Sequence, residues 1–230
     1  KFSGEYTVTF LGLTVARSNF SSTIDGDTYS VVGDVRSAGI GKLMDSVSGE
    51  SKASGAFAGQ TTQSRKFWTE YRNGKKNQMT SIAFSGGAVS NTVNEPALKK
   101  RDDKVPLKPE HLRGVADPIS ATLIKASGVD DVCNRTLRIY DGELRADVTL
   151  SGAKIGKIPG YEGEGVTCSA KFMPVAGYRT GNYAMKYMRN KAKISISFAE
   201  LGDTGVYAPV RATVSTTLGT VTLLGRRVQG

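Results

Sequence analysis

The chain has 230 residues, 39% apolar and 23% charged, with 27 glycines and a formal net charge of +10. That length supports one large β domain or two small ones, with ample material for a core. No run of about 18 apolar residues occurs, which excludes a membrane-spanning helix. The chain starts at Lys1 and enters strand-like sequence almost at once, as a processed or trimmed chain would.

The positive charge suits an anionic partner: nucleic acid, lipid head groups or an acidic cell-wall polymer. A basic, solvated surface is the alternative. Lys and Arg are dispersed, and the one dense cluster, Lys99–Arg101, is followed at once by Asp102 and Asp103, which reads as a solvated loop.

In chain order, residues 5–16 read as a strand. Tyr6, Val8 and Phe10 share one parity, and Leu11, Leu13 and Val15 take the other, so a bulge or sharp bend is expected at Gly12. Asp25-Gly26 marks a hairpin. Residues 41–47 read as one helical turn or a loop. Residues 48–64, rich in Ser, Gly, Ala and Thr, read as a flexible linker or, through Ala53, Phe57 and Ala58, a weak strand. Asn73-Gly74 marks another hairpin, with Tyr71 expected opposite Lys76 and Trp68 opposite Met79. Residues 91–108 lose periodicity and read as a loop.

Pro109 is a candidate helix start. Asp117-Pro118 is a stronger one, an N-cap followed by proline at the first helical position. A helix over 118–127 is expected to bury Ile119, Leu123 and Ala126 and to plug a curved sheet.

The clearest hairpin centres on Asp141-Gly142. A two-residue turn there sets Ile139 opposite Leu144 and Leu137 opposite Ala146, with Arg138, Arg145 and Asp147 on the other, charged face. Further strands are expected at 169–178, at 191–199 with Ala192, Ile194, Ile196 and Phe198 inward, at 206–216 through Val206, Val210, Ala212 and Val214, and at 220–224. Pro209 marks an edge or a strand start. Ten to thirteen strands and one or two short helices give a mainly β chain, an antiparallel curled sheet or barrel-like single domain over 1–230.

Cys133 and Cys168 are the only cysteines, and both adjoin predicted strands. A disulfide is expected, with two buried free thiols as the alternative. Closing that loop contributes about 3–4 kcal/mol and implies an oxidising compartment.

Catalytic chemistry finds little support. His111 is the one histidine, and no Gly-x-Ser-x-Gly elbow accompanies it. No zinc ligand set or phosphate-binding glycine loop occurs, and no metal or cofactor is expected. The acids Glu162, Glu164, Asp130 and Asp131 read as solvated loop residues rather than a glycosidase pair. Residues 177–191 mix Tyr178, Tyr183 and Tyr187 with Arg179, Lys186, Arg189 and Lys191. That mixture suits nucleic-acid stacking or a half-buried sheet edge. A disulfide-permissive compartment argues against nucleic acid.

Several segments together, YTVTFLGLTVARSNFSSTIDGDTYSVVGDVRSAG, GVADPISATL, CNRTLRIYDGELRADVTL, CSAKFMPVAGYR and PVRATVSTTLGTVTL, resemble the bacterial domain-of-unknown-function family numbered 3108, in its alphaproteobacterial form. The resemblance covers nearly the whole chain. It implies a secreted, periplasmic protein whose signal peptide has been removed, and it brings no catalytic residues. At the level of fold alone the pattern is similar to periplasmic curled-β proteins, including lipoprotein carriers and envelope-integrity proteins.

The expected function is therefore a non-enzymatic envelope protein that binds a lipid or other hydrophobic ligand, with lipid, lipopolysaccharide or another anionic envelope component as partner. The candidate lining is Phe10, Ile194, Ile196, Phe198, Val210 and Ala212, joined by Tyr6, Val8 and Val214. The candidate basic rim is Arg179, Lys186 and Arg189. A structural or interaction module with a filled core is the alternative, and an enzyme acting on the cell wall comes third.

Overall fold

The computed structural model describes residues 1–44 and 46–226. Among them are fourteen strands: Phe2–Phe10 (β1), Leu13–Asp25 (β2), Thr28–Ser37 (β3), Val47–Ala58 (β4), Thr61–Asn73 (β5), Lys76–Ser85 (β6), Ala88–Glu95 (β7), Ile124–Lys125 (β8), Arg135–Tyr140 (β9), Arg145–Lys157 (β10), Glu164–Ala176 (β11), Ile194–Glu200 (β12), Val206–Ser215 (β13) and Thr220–Gly225 (β14). Gly41–Met44 forms one helical turn (α1), and Tyr183–Asn190 forms a two-turn helix (α2). The strands form one antiparallel sheet in the order β7-β6-β5-β4-β3-β2-β1-β14-β13-β12-β11-β10-β9, with β8 paired to β13.

Because successive strands reverse direction, the turns sort to two ends. The connections after β1, β3, β5 and β13 lie at one end, and those after β2, β4, β6 and β12 at the other.

The sheet path is not closed, and β7 and β9 are its edges. Residues 113–116 run between them as a strap. Gly114 N–H donates to Gly87 O (2.7 Å) and Ala116 N–H to Arg138 O (2.9 Å), while Ala116 O accepts from Tyr140 N–H (2.9 Å). Side chains add to this seam: Asn94 Nδ2 donates to Gly142 O at 3.1 Å, and Tyr140 Oη reaches Thr92 Oγ1 at 3.4 Å. Both edges are thereby partly covered, as exposed edges must be.

The interior is filled by the segment that follows the strap. Ala116, Ile124, Ala126 and Val132 pack with Leu150, Val166 and Phe198. Leu123 joins a second cluster with Tyr29, Phe57 and Val206, and Val115 a third with Phe67 and Ile82. The segment thus bridges both halves of the sheet.

It is not the expected helix. Asp117 does cap it: Oδ1 accepts from the N–H groups of Ile119 (3.1 Å) and Ser120 (2.9 Å). The turn so started is a 3-10 turn of three residues, Ser120–Thr122. Then Ile124–Lys125 pairs with Val206 and Tyr207 of β13, and Thr62 Oγ1 donates to Leu123 O. Tertiary strand pairing overrides the local cap. Leu123 and Ala126 are buried as expected, while Ile119 is half-buried. Leu123→Ala is expected to cost about 2–5 kcal/mol in denaturant melts, and a loss below about 0.5 kcal/mol would contradict its core placement.

The bend expected at Gly12 is a full reversal between β1 and β2, with Phe10 opposite Leu13. The Asx-Gly pairs mark hairpins, but in each the register is displaced. Asn73 pairs with Lys76 and Tyr71 with Gln78, so the loop is Gly74-Lys75. Asp25 likewise pairs with Thr28. At the third, Tyr140 pairs with Arg145, Ile139 with Ala146 and Leu137 with Val148. Asp141 Oδ1 accepts from the N–H groups of Glu143 (2.9 Å) and Leu144 (2.7 Å), which holds a four-residue loop. The displacement is even, so the apolar and charged faces are preserved.

The outer face of β9–β10 is not solvated throughout. Arg145 is only 2% exposed. Its Nη1 donates to Ala146 O (2.6 Å) and Asp147 Oδ1 (2.7 Å), and its Nε to His111 O (3.1 Å). Segment 103–112 lies across this face, held by Lys104–Glu143 and by Val105 N–H to Tyr178 O (2.9 Å).

The stretch read as a linker or a weak strand is β4 and the start of β5, so the strand alternative holds. Its small residues are required by close packing: a Cβ on Gly55 would lie 2.3 Å from Tyr29 Oη and 2.2 Å from Gln63 O. Pro209 is not at an edge. It sits where β13 carries an extra residue, Ser197 pairing with Arg211 and Phe198 with Pro209, so that a bulge absorbs the missing donor.

Candidate functional site

The seam shapes a concavity of ligand-like size. Between the start of β5, the strap, the 3-10 turn and β9 lies a cleft of about 400 Å³. Apolar side chains form its floor, among them Phe84, Val115, Leu123, Ile124 and Leu137, and Gln60, Thr62, Gln63, Arg135 and Arg138 supply its polar wall. Its size lies in the range of small-molecule sites, and its lining is divided about evenly between apolar and polar side chains.

Arg135 is the unusual member. Its Nη2 donates to Asp131 O, while its Nε is buried without a hydrogen-bond partner. Burial holds this guanidinium below its ordinary range, against the opposing field of Asp131. A half-buried guanidinium with an unused donor favours an anionic ligand group. Arg138, on the same strand, is exposed.

Ser64 lines the cleft and connects it to a buried polar cluster behind. Ser64 Oγ donates to Asp117 Oδ2 at 2.6 Å and accepts from Asp117 N–H at 3.1 Å. Asp117 is fully buried. Burial raises its carboxyl above the usual range, opposed by donors from Ser120, Ser64 and Ile119. Tyr29 is raised too, chiefly by burial; the buried Ser120 hydroxyl lies near both groups without a hydrogen bond of good geometry. With its oxygens taken by the turn and Ser64, Asp117 is an anchor of the plug rather than a base facing a substrate.

A raised carboxyl means that the folded state holds its proton to higher pH than the unfolded chain. The associated stability is present below the ordinary value of 3.8 and is lost as pH rises through the raised value. Asp117→Asn keeps the Oδ1 acceptor and removes the titration. The difference in stability between wild type and variant is therefore expected to move toward the variant as pH rises from below 4, measured by urea melts across pH. A constant difference would contradict the assignment.

The expected lining residues are brought together in part. Ile194 lies opposite Val214, which lies opposite Val221, opposite Phe10; Ile196 lies opposite Ala212. These form two adjacent cross-strand rows on the inner face, half-buried, and Ile196 packs against the main cluster. Phe198 is sealed within that cluster. Val210, the extra residue of the bulge, falls instead in a separate cluster with Ile158 and Ala199.

The rim residues lie at the end of the sheet that carries the turn after β1. Arg179 lines a second cleft of about 510 Å³ with Lys99, Arg101 and Lys104, and its Nε donates to Asp103 Oδ2 at 2.7 Å. That guanidinium holds the Asp103 carboxyl below its usual range. Lys186 and Arg189 are exposed on α2. Residues 183–190 are therefore a helix, capped by Asn182 Oδ1 accepting from Met185 N–H (3.2 Å), and not a sheet edge.

His111 is half-buried, and its Nδ1 accepts from Lys108 N–H at 3.2 Å. Among the described residues, no three His, Cys, Asp or Glu side chains are grouped to hold a metal ion, and no helix is long and apolar enough to cross a membrane. Cys133 and Cys168 are bonded at 2.06 Å, with Cα atoms 5.7 Å apart.

Arg135 and the seam were missed by the sequence reading. The signal available was an arginine two residues after a cysteine at a strand start, but the strap that completes the cleft comes from an aperiodic segment.

A solved structure with a similar fold is the crystal structure of a beta-barrel-like protein of domain of unknown function DUF1849 from Brucella abortus. The TM-score is 0.52 at 9% identity, covering 99% of this chain and 96% of that one. The likeness is one of fold. No curated protein matches the sequence. Residues 5–225 match the family described as "Protein of unknown function (DUF3108)", and the chain belongs to that family.

Proposed function

We propose that the protein is a non-enzymatic component of the periplasmic cell envelope that binds an anionic amphiphile, a fatty acid or phospholipid, in the seam cleft. The observation that carries this reading is the apolar floor beside Arg135, whose buried Nε lacks a partner. The disulfide supports an oxidising compartment. Burying an acyl segment contributes about 0.8 kcal/mol per CH2, enough for micromolar binding after association costs.

The test is titration with a fluorescent fatty acid. Saturable binding is expected, weakened about tenfold or more by Arg135→Ser with Arg138→Ser, through loss of charge-assisted hydrogen bonds. Ile196→Arg, on the half-buried inner rows, should leave it intact if folding is retained. Loss of binding in that variant alone would move the site to the inner wall. The filled interior favours a second reading, a structural or interaction module. Absence of binding across several lipid classes by the folded protein would select it.

A further inference from the structure

The end of the sheet carrying the turn after β1 exposes large apolar side chains at its loop tips. Leu11 is 63% exposed, Leu13 56% and Leu218 80%, with Ile40 at 36%. They belong to neighbouring loops: Leu11 N–H donates to Thr220 O (3.1 Å), and Ile40 N–H to Thr14 O (3.2 Å). Leu11 also adopts φ +49°, a left-handed position in a tight turn that normally selects Gly or Asn. A leucine held there, in water, is opposed by both backbone preference and hydration.

Lysines surround these tips. Lys42 lies two residues after Ile40, and Lys75 and Lys76 lie in and beside the β5–β6 turn, which is joined to the β3–β4 connection through Gly74 N–H to Ser46 O (3.4 Å). Lys193 adjoins the β13–β14 turn through its N–H to Ser215 Oγ (2.6 Å). All four are exposed. The described residues of segments 10–13, 38–46, 73–76, 190–193 and 215–220 contain no Asp or Glu; Asp45 lies outside the described residues. The opposite end is different: its turns hold Asp25, Asp27, Glu162, Glu200 and Asp203. The leucine-bearing end also carries Asp103, Asp141 and Glu143 beside Arg179 and Lys104, so among the described residues the acid-free stretch is the arc of turns from β5–β6 to β13–β14.

We propose that the Leu11–Leu218 end docks on an anionic lipid bilayer, its leucine tips entering the interface and its lysines meeting the head groups. Apolar tips flanked by exposed lysines fit a surface that is itself charged outside and apolar beneath. A protein partner would need only one of the two. The proposal stands independently of the seam cleft.

Vesicle flotation tests it, using phosphatidylcholine vesicles and vesicles doped with phosphatidylglycerol. The protein should float with the doped vesicles, less so as salt rises. Leu11→Ser with Leu218→Ser should weaken binding roughly tenfold or more, and Lys75→Glu with Lys193→Glu by a similar factor. Lys157→Glu, on the outlying end of β10, should leave it nearly unchanged. Failure of the folded wild type to float with either vesicle overturns the proposal. So does an equal loss with Lys157→Glu, which would indicate net charge alone. A wild-type dimer that the leucine variants convert to monomer, without flotation, would assign the surface to a second copy of the chain instead.

Discussion

Replacing Cys133 and Cys168 together by alanine is expected to lower the unfolding free energy by about 4 kcal/mol, read from urea melts of the oxidised wild type and the variant. The bond closes a sequence separation of 35 residues. It joins the end of the plug, just before β9, to the middle of β11, so it ties two strands that have β10 between them. Both sulfurs are buried in the main cluster, so water gains nothing by replacing them there. Reduction of the wild type should reproduce most of the loss. A change below about 1 kcal/mol would mean that the unfolded chain already holds these strands together.

Phe198→Ala is expected to cost about 3–5 kcal/mol, through lost burial and the cavity left behind. Phe198 has no exposed surface and pairs with Val166, itself fully buried. It shares a cluster with Cys168 and Leu150. The triple variant should therefore deviate from additivity, since neighbours around one cavity couple by about 0.5–3 kcal/mol. A loss below about 1 kcal/mol would mean that the cluster collapses around the gap.

The two disulfide partners and the alternating strands were readable because each depends on local pattern. So were the hairpins, since Asx-Gly marks a reversal wherever it falls. Their register was not. In two hairpins Asn73 and Asp25 close the strand and glycine takes the first loop position, while Asp141 spends its carboxylate on two N–H groups and lengthens the loop. The choice depends on strand pairing beyond the turn. β4 was readable only as one of two alternatives for a related reason: its glycines suit a linker as well as a strand until Tyr29 is seen packed over Gly55. α2 left a signal in Asn182 and the absence of β-branched residues over 183–190, but interleaved tyrosines and basic residues pointed equally to a strand. The seam cleft and the buried Arg145 arise from segments 103–116 crossing the sheet, and aperiodic sequence carries no record of what it covers.

The pairing of β1 with β14 sets the timing of assembly. Tyr6 lies opposite Gly225, so the first strand of the sheet has its second neighbour in the last, more than 200 residues on. β2 through β7 can add to β1 one hairpin at a time, and β9 through β14 can do likewise as a second array. Until the two arrays join, each presents an unpaired edge at what becomes the middle of the sheet. Closing so distant a contact is slow, because loop entropy is lost before the contact rewards it. During that interval the exposed edges are competent to pair with another chain. The vulnerable species is thus a half-assembled chain whose hairpins are already native, and a holdase that covers the free edge of β1 would act at the step where aggregation and folding diverge.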